Sequence, residues 1–170
     1  HRELGDAFPA LPFEPLVADV VDARRMEEIF RQHRPDVVFH AAAHKHVPMM
    51  EWNCAEAIKN NVLGTRLLAG IAPAQQTRTF VMISTDKAVN PTSVMGASKR
   101  VAEIYIQALA NNTRTRFLTV LFWNVLGPTG SVVPIFNAQL RRGGPATGPT
   151  PAMHRYSNTI PYARKRGTQP

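Results

Sequence analysis

The residues that carry most chemistry are Ser84-Thr85-Asp86-Lys87, followed, twelve positions after Asp86 and Lys87, by Ser98-Lys99. The apolar run Phe80-Val81-Met82-Ile83 leads into the first group, so Thr85, Asp86 and Lys87 fall where a buried strand would end. In open α/β sheets, ligands gather at the carboxyl ends of the strands. A hydroxyl, a carboxylate and an amine at such an end are the parts of a proton-transfer site. The same residues could instead cap and turn the chain beyond the strand, with the lysine solvated. A second lysine, Lys99, opens an amphipathic helix and adds positive charge near the same place.

Other positions admit two readings each. His40-Ala41-Ala42-Ala43 follows Val37-Val38-Phe39, which reads as a strand buried on both faces. The small residues Ala41, Ala42 and Ala43 let a flat ligand approach the backbone, or simply pack a strand-to-loop turn. His44 and His46 have no nearby cysteine or carboxylate, so a zinc site is not expected. With Lys45 between them they suit a polar loop facing an anionic substrate. Asn60-Asn61 sits inside a helical stretch where better helix formers are the rule. Such an asparagine is either solvated or binds backbone and kinks the helix beside a site. Asp19 could accept from an adenine amine or cap the turn after it. Arg100 and Glu103 read as an ordinary solvated pair on a helix face. Trp52 and Trp123 read as core or rim residues.

The elements that must position these groups alternate between strand and helix. Leu16-Val17-Ala18 is a short apolar run placing Asp19 just after a strand, and Asp22 caps a helix through about Gln32. Asn53 and Glu56 form a capping box for a helix through about Ala69. Thr79–Ile83 is the next strand, Ala97 to about Leu109 the next helix, and Phe117–Phe122 the next strand. Pro134 suits the first turn of a helix ending near Gly143-Gly144. Repeated strand–helix–strand units imply parallel strands joined by right-handed crossovers, hence an α/β doubly wound parallel sheet.

Residues 1–144 make one domain, and the proline- and base-rich stretch 145–170 reads as an irregular tail. No glycine-rich strand-to-helix turn precedes Leu16, so the chain reads as an internal fragment lacking the first strand and that turn. The net charge of +8 is scattered among helices apart from Arg164-Lys165-Arg166. That scatter favours an anionic small molecule over nucleic acid. The lone Cys54 excludes a disulfide framework and fits a reducing cytoplasmic compartment. No apolar run reaches the roughly 20 residues of a membrane span, so no membrane contact is expected of this segment.

Four phrases, taken in order, resemble one family: Phe39-His40-Ala41-Ala42-Ala43-His44-Lys45-His46-Val47-Pro48; Lys59-Asn60-Asn61-Val62-Leu63-Gly64-Thr65; Ile83-Ser84-Thr85-Asp86-Lys87-Ala88-Val89-Asn90-Pro91-Thr92; and Asn124-Val125-Leu126-Gly127 through Ser131-Val132-Val133-Pro134. The chain is thereby similar to the CapD-type polysaccharide biosynthesis proteins, UDP-N-acetylglucosamine 4,6-dehydratases of the extended short-chain dehydrogenase/reductase superfamily. The resemblance implies a Rossmann-like domain, bound NAD rather than NADP, a UDP-sugar substrate and a homo-oligomeric full-length protein. The parent protein could be membrane-anchored through an N-terminal region, as longer family members are.

By the same resemblance, Thr85 takes the place of a tyrosine at the sugar 4-hydroxyl, Asp86 is the acid toward the leaving 6-hydroxyl and Lys87 is the base at carbon 5. Lys99 would bind the nicotinamide ribose, Asp19 the adenine, and Ala41, Ala42, Ala43 and Asn61 would border the cofactor. Lys45, Asn124 and Ser131 would face the sugar nucleotide. The superfamily's Y-x-x-x-K helix appears here as Met95-Gly96-Ala97-Ser98-Lys99, and methionine at the tyrosine position resembles the branch that retains configuration at carbon 5. Leu121 and Trp123 stand where the family usually has arginine and glycine. An epimerase or simple oxidoreductase on a nucleotide sugar, and a catalytically inert binding or assembly module, are the rival readings.

Overall fold

Three parallel strands organise the protein, and the first two are followed by segments that carry polar residues. The computed structural model describes residues 6, 8–122, 124, 125, 141–143, 157 and 158. Trp123, Ser131, the helix expected from Pro134, and all of the 145–170 stretch except Ser157 and Asn158 lie outside the described residues, as does the side chain of Asn124. The strands are β1 (Val37–His40), β2 (Thr79–Thr85) and β3 (Arg116–Phe122), in the order β1-β2-β3. The register places Val38 beside Phe80, His40 beside Met82 and Thr85 beside Phe122. A two-residue parallel pairing joins Asn124–Val125 to Ser157–Asn158.

Helices supply the crossovers. α1 (Ala23–His33) starts where Asp22 accepts a hydrogen bond from the Arg25 amide at 3.0 Å, and ends at Arg34 in a left-handed conformation. α2 is Val47–Trp52. The next helix runs as α3 (Cys54–Ala57), a π-helical segment Ile58–Gly64, and α4 (Thr65–Ala74). α5 (Val94–Ala110) is capped by Ser93, which accepts from the Gly96 amide at 3.1 Å, and Glu51 of α2 accepts from the Val94 amide at 2.8 Å. No helix among the described residues is long and apolar enough to cross a membrane.

The main core lies between the sheet and α1, α4 and α5. Phe80 and Met82 are fully buried there against Met26, Phe30, Leu68, Ala102 and Ile106. Burying side chains of that size contributes about 1.5–3 kcal/mol each. Val38 and Phe117 join this cluster, which fixes the helix-covered face of the sheet. Val37 and Phe39 alternate to the opposite face and are 44% and 72% exposed, so the expected burial of β1 on both faces is not what forms. Nothing among the described residues covers that face of β1.

Two further expectations are corrected. Leu16-Val17-Ala18 is irregular and exposed rather than a strand, because no neighbouring strand among the described residues supplies ladder hydrogen bonds. The Asn53–Glu56 capping box does not form: the Asn53 amide donates back to the Met49 carbonyl at 2.8 Å, and Glu56 lies 3.5 Å from Lys59. The helix continues past Ala69 to Ala74 and takes in Pro73.

Candidate active site at the carboxyl ends of the strands

β2 delivers the Thr85-Asp86-Lys87 group as its pattern predicts. Thr85 is the last strand residue, and Asp86–Ala88 follow as one 3₁₀ turn. The three side chains are tied together. The Thr85 hydroxyl donates to Asp86 Oδ1 at 2.9 Å, and Lys87 Nζ donates to the same oxygen at 3.1 Å. The Asp86 and Lys87 side chains are each 33% exposed, so the ion pair stands at the rim rather than inside the core. Part of the capping alternative is also present, since Thr85 Oγ1 receives the Lys87 amide at 3.4 Å. The hydroxyl caps the turn and donates to Asp86 at once, because an oxygen has two lone pairs and one hydrogen.

Lys99 reaches the same strand end from α5. Its ammonium donates to the Ile83 carbonyl at 2.8 Å, two residues before Thr85, and only 4% of the residue is exposed. Burial lowers its pKa to about 8, against the opposing pull of the Glu103 carboxylate. An ammonium carries three donors, and Ile83 occupies one of them. Gly96 lets the helix come this close. A Cβ there would collide with the Lys87 carbonyl oxygen and sit 3.3 Å from Pro91 Cβ. Met95, at the tyrosine position, is 3% exposed and packs with Met50 and Ala57. It presents no titratable group to the site.

Asn61 explains the π-helical segment. The wider turn aims its amide at the loop after β1 instead of at solvent. Asn61 Oδ1 accepts from the His44 amide at 2.8 Å, while Nδ2 donates to the His44 carbonyl at 3.1 Å and to Ser98 Oγ at 2.9 Å. Ser98 Oγ passes its own hydrogen to the Met95 carbonyl at 2.8 Å. Of the readings open to an asparagine in this helix, backbone binding is the one that forms. With 0% exposure and both Nδ2 hydrogens used, Asn61 holds the loop in place rather than offering a group to a ligand.

His40 anchors the other end of that loop. The Thr65 hydroxyl donates to the Asn61 carbonyl at 2.7 Å and lies 2.8 Å from His40 Nε2, so its single hydrogen is spent and His40 Nε2 is the donor. Burial, with Lys99 nearby, lowers the His40 pKa to about 4, which keeps the ring neutral. Ala41, Ala42 and Ala43 follow as an irregular segment, the last two half-buried. Ala43, His44, Lys45, His46, Met49 and Met50 line a cleft of about 290 Å³. A larger groove of about 830 Å³ involves Arg24, Arg66 and Tyr105 on the helical layer and none of these residues.

The structure thus brings Thr85, Asp86, Lys87 and Lys99 to one strand end and sets the 41–46 loop, with Lys45, beside it through Asn61. Asp19 is exposed, and its Oδ1 accepts from the Val21 amide at 3.1 Å, which is the turn-capping role. Glu103 corrects the solvated-pair reading: it is 3% exposed and accepts from Ser84 Oγ at 2.5 Å. The signal for it lies in the helix itself. Met95, Lys99, Ala102, Glu103 and Ile106 form one buried stripe at helical spacing.

This parallel sheet, with crossover helices and polar groups at its carboxyl edge, defines a Rossmann-like domain. The chain belongs to the polysaccharide biosynthesis protein family, whose pattern matches residues 5–165. It is 50% identical over 167 residues to the capsular polysaccharide biosynthesis protein CapD of Staphylococcus aureus, covering 97% of this chain and 28% of that protein. It is 35% identical over 144 residues to a UDP-N-acetylglucosamine 4,6-dehydratase (inverting) of Campylobacter jejuni, covering 83% of this chain and 42% of that protein. The solved structure of Pen from Bacillus thuringiensis matches with a TM-score of 0.85 at 32% identity, covering 96% of this chain and 51% of that one. The chain therefore spans well under two thirds of the length of these relatives, one of which is named as a nucleotide-sugar dehydratase.

Proposed function

We propose that this chain contributes the catalytic edge of an NAD-dependent nucleotide-sugar 4,6-dehydratase acting on UDP-N-acetylglucosamine. The observation that carries the reading is the hydrogen-bonded Thr85-Asp86-Lys87 group at the end of β2, two residues beyond the carbonyl that holds Lys99. Lys99 fits the cofactor as a buried ammonium with donors to spare at a strand end, where ribose hydroxyls would be taken. Ala41, Ala42 and Ala43 leave room for the ring, and Asp19 has a second carboxylate oxygen for the adenine. NAD, when bound, supplies a reversible hydride acceptor.

The protein's part is proton movement. Thr85 Oγ1 sits between a substrate 4-hydroxyl and Asp86, so the hydroxyl proton passes through Thr85 to the Asp86 carboxylate as the carbon is oxidised. Lys87 serves carbon 5 as the free amine, its ammonium proton released to solvent at the part-exposed rim. Lys87 takes the carbon-5 proton while Asp86 gives its proton to the departing 6-hydroxyl, which leaves as water. When hydride returns to carbon 6, Lys87 returns its proton to carbon 5. The proton taken from the 4-hydroxyl departs with the water, and Lys87 recovers from solvent the proton it released, so the cycle closes with no net oxidation. Because Met95 offers no acid or base, the proton returns from the side of Lys87, and we infer retention at carbon 5.

The test uses UDP-N-acetylglucosamine deuterated at carbon 4 and the full-length protein. The expected product is a 4-keto-6-deoxy sugar carrying that deuterium at carbon 6, without net NADH. A product oxidised at carbon 4 with NADH accumulating, or a 4-epimer with the deuterium still at carbon 4, would instead assign an oxidoreductase or an epimerase.

A further inference from the structure

Glu103 is a carboxylate in a place where carboxylates are costly. Only 3% of it is exposed, and the buried stripe around it on α5 is otherwise Met95, Lys99, Ala102 and Ile106. Isolated burial of such a charge costs several kcal/mol unless partners surround it. Here both oxygens are engaged: Oε1 accepts from Ser84 Oγ at 2.5 Å and Oε2 from Arg100 Nη1 at 2.9 Å. Arg100 is at the helix surface, with 42% of its side chain exposed, and brings charge in from solvent.

The two anchors on the strand are consecutive. Lys99 holds the Ile83 carbonyl and Glu103, one helical turn further on, holds the Ser84 hydroxyl. Thr85, Asp86 and Lys87 are the next three residues. We propose that Glu103 is a positioning residue: with Lys99 it clamps two successive residues of β2 to α5, fixing the Thr85-Asp86-Lys87 turn and the Lys99 ammonium in one frame. This rests on the dehydratase reading only for what the frame is used for; the clamp itself is independent of the substrate.

The clamp is also electrostatic. Burial draws the Lys99 pKa down, and the Glu103 carboxylate pulls the other way. The other charged or titratable groups near Lys99 are neutral His40 at the end of β1 and Arg100 through Glu103, while the Asp86–Lys87 ion pair lies on the 3₁₀ turn that packs on α5. Among the described residues, Glu103 is the carboxylate that raises the Lys99 pKa from the same helix face. Removing that charge disfavours the ammonium, so the Lys99 pKa must fall further.

The experiment is a lysine-selective NMR titration of the full-length protein, with Lys99 assigned by loss of its signal in Lys99→Arg. Lys99 should titrate near 8 in the wild type. In Glu103→Gln, which keeps the shape, the midpoint should fall by about 0.5 or more on the pH scale. The alkaline limb of the kcat profile should move down with it. Ser84→Ala cuts the strand tie without changing charge: kcat should fall about tenfold, with KM within about twofold and the Lys99 midpoint near its wild-type value.

An unmoved Lys99 midpoint in Glu103→Gln, or an unchanged kcat in Ser84→Ala, overturns the proposal; Ser84→Ala decides alone if Glu103→Gln does not fold. The titration needs no turnover. A shifted midpoint in a protein that makes no 4-keto-6-deoxy sugar therefore keeps the clamp and sinks the dehydratase. Dehydration that proceeds with an unmoved midpoint does the reverse.

Discussion

Asp86 receives Thr85 and Lys87 through one oxygen, so loss of any member changes what the other two can do. Asp86→Asn keeps the shape but can neither take the 4-hydroxyl proton nor release it to the leaving group. Turnover should drop by about 10²–10⁴. Lys87→Met should cost at least as much, since the proposed cycle assigns carbon 5 no other base. Lys99→Ala should weaken NAD binding as well as turnover. Met95→Tyr should keep much of the activity, because Thr85 serves the 4-hydroxyl. It should still lower stability by about 1–3 kcal/mol, since a ring is being forced into the cluster with Met50 and Ala57. Turnover, NAD affinity by titration calorimetry and urea midpoints would be measured for all four. Mild effects at Asp86 and Lys87 beside complete loss in Met95→Tyr would move the chemistry away from the turn.

At the scale of elements, the distance between α5 and the 3₁₀ turn decides whether Lys99 and Lys87 belong to one site. Gly96 sets that distance, because an added Cβ meets backbone rather than a flexible side chain. Gly96→Ala should therefore push the turn off the helix, costing about 1–3 kcal/mol of stability together with turnover. Full activity in a stably folded Gly96→Ala protein would show that the turn tolerates the displacement. The sequence made α1, β2, α5 and β3 legible to within a few residues, because apolar periodicity and the Asp22 cap are local signals, although the Ser93 cap places the start of α5 at Val94 rather than Ala97. It made the Thr85-Asp86-Lys87 turn legible as well, since a strand's end follows from its apolar run. The asparagine in the helix was readable only as a choice, because its partner His44 is seventeen residues away in the chain. Glu103 misread as solvated for a related reason: local pairing with Arg100 is visible in the spacing, whereas Ser84 across the helix–sheet interface is not. The burial of Val37 and Phe39 failed because alternation cannot say what stands on the far face of a sheet.

For the whole molecule, two buried bases make stability depend on pH in two separate windows. His40 titrates at about 4 when folded and at its ordinary 6.5 when unfolded. Between those values the unfolded chain binds the extra proton, so the His40 contribution is complete above 6.5 and is lost as pH falls toward 4. The full loss is about 3 kcal/mol at 1.36 kcal/mol per pH unit. Lys99 titrates at about 8 when folded against 10.5 unfolded, so by the same sign its contribution grows as pH rises from 8 to 10.5. Glutamine at position 40 can still donate to Thr65 but does not titrate. Urea unfolding of wild type and His40→Gln should therefore give curves that lie furthest apart in slope between pH 4 and 6.5, with the variant losing less stability on acidification. Carboxylates titrate in both proteins and cancel in the difference. Parallel curves across that window would mean that the ring is not held neutral inside the fold.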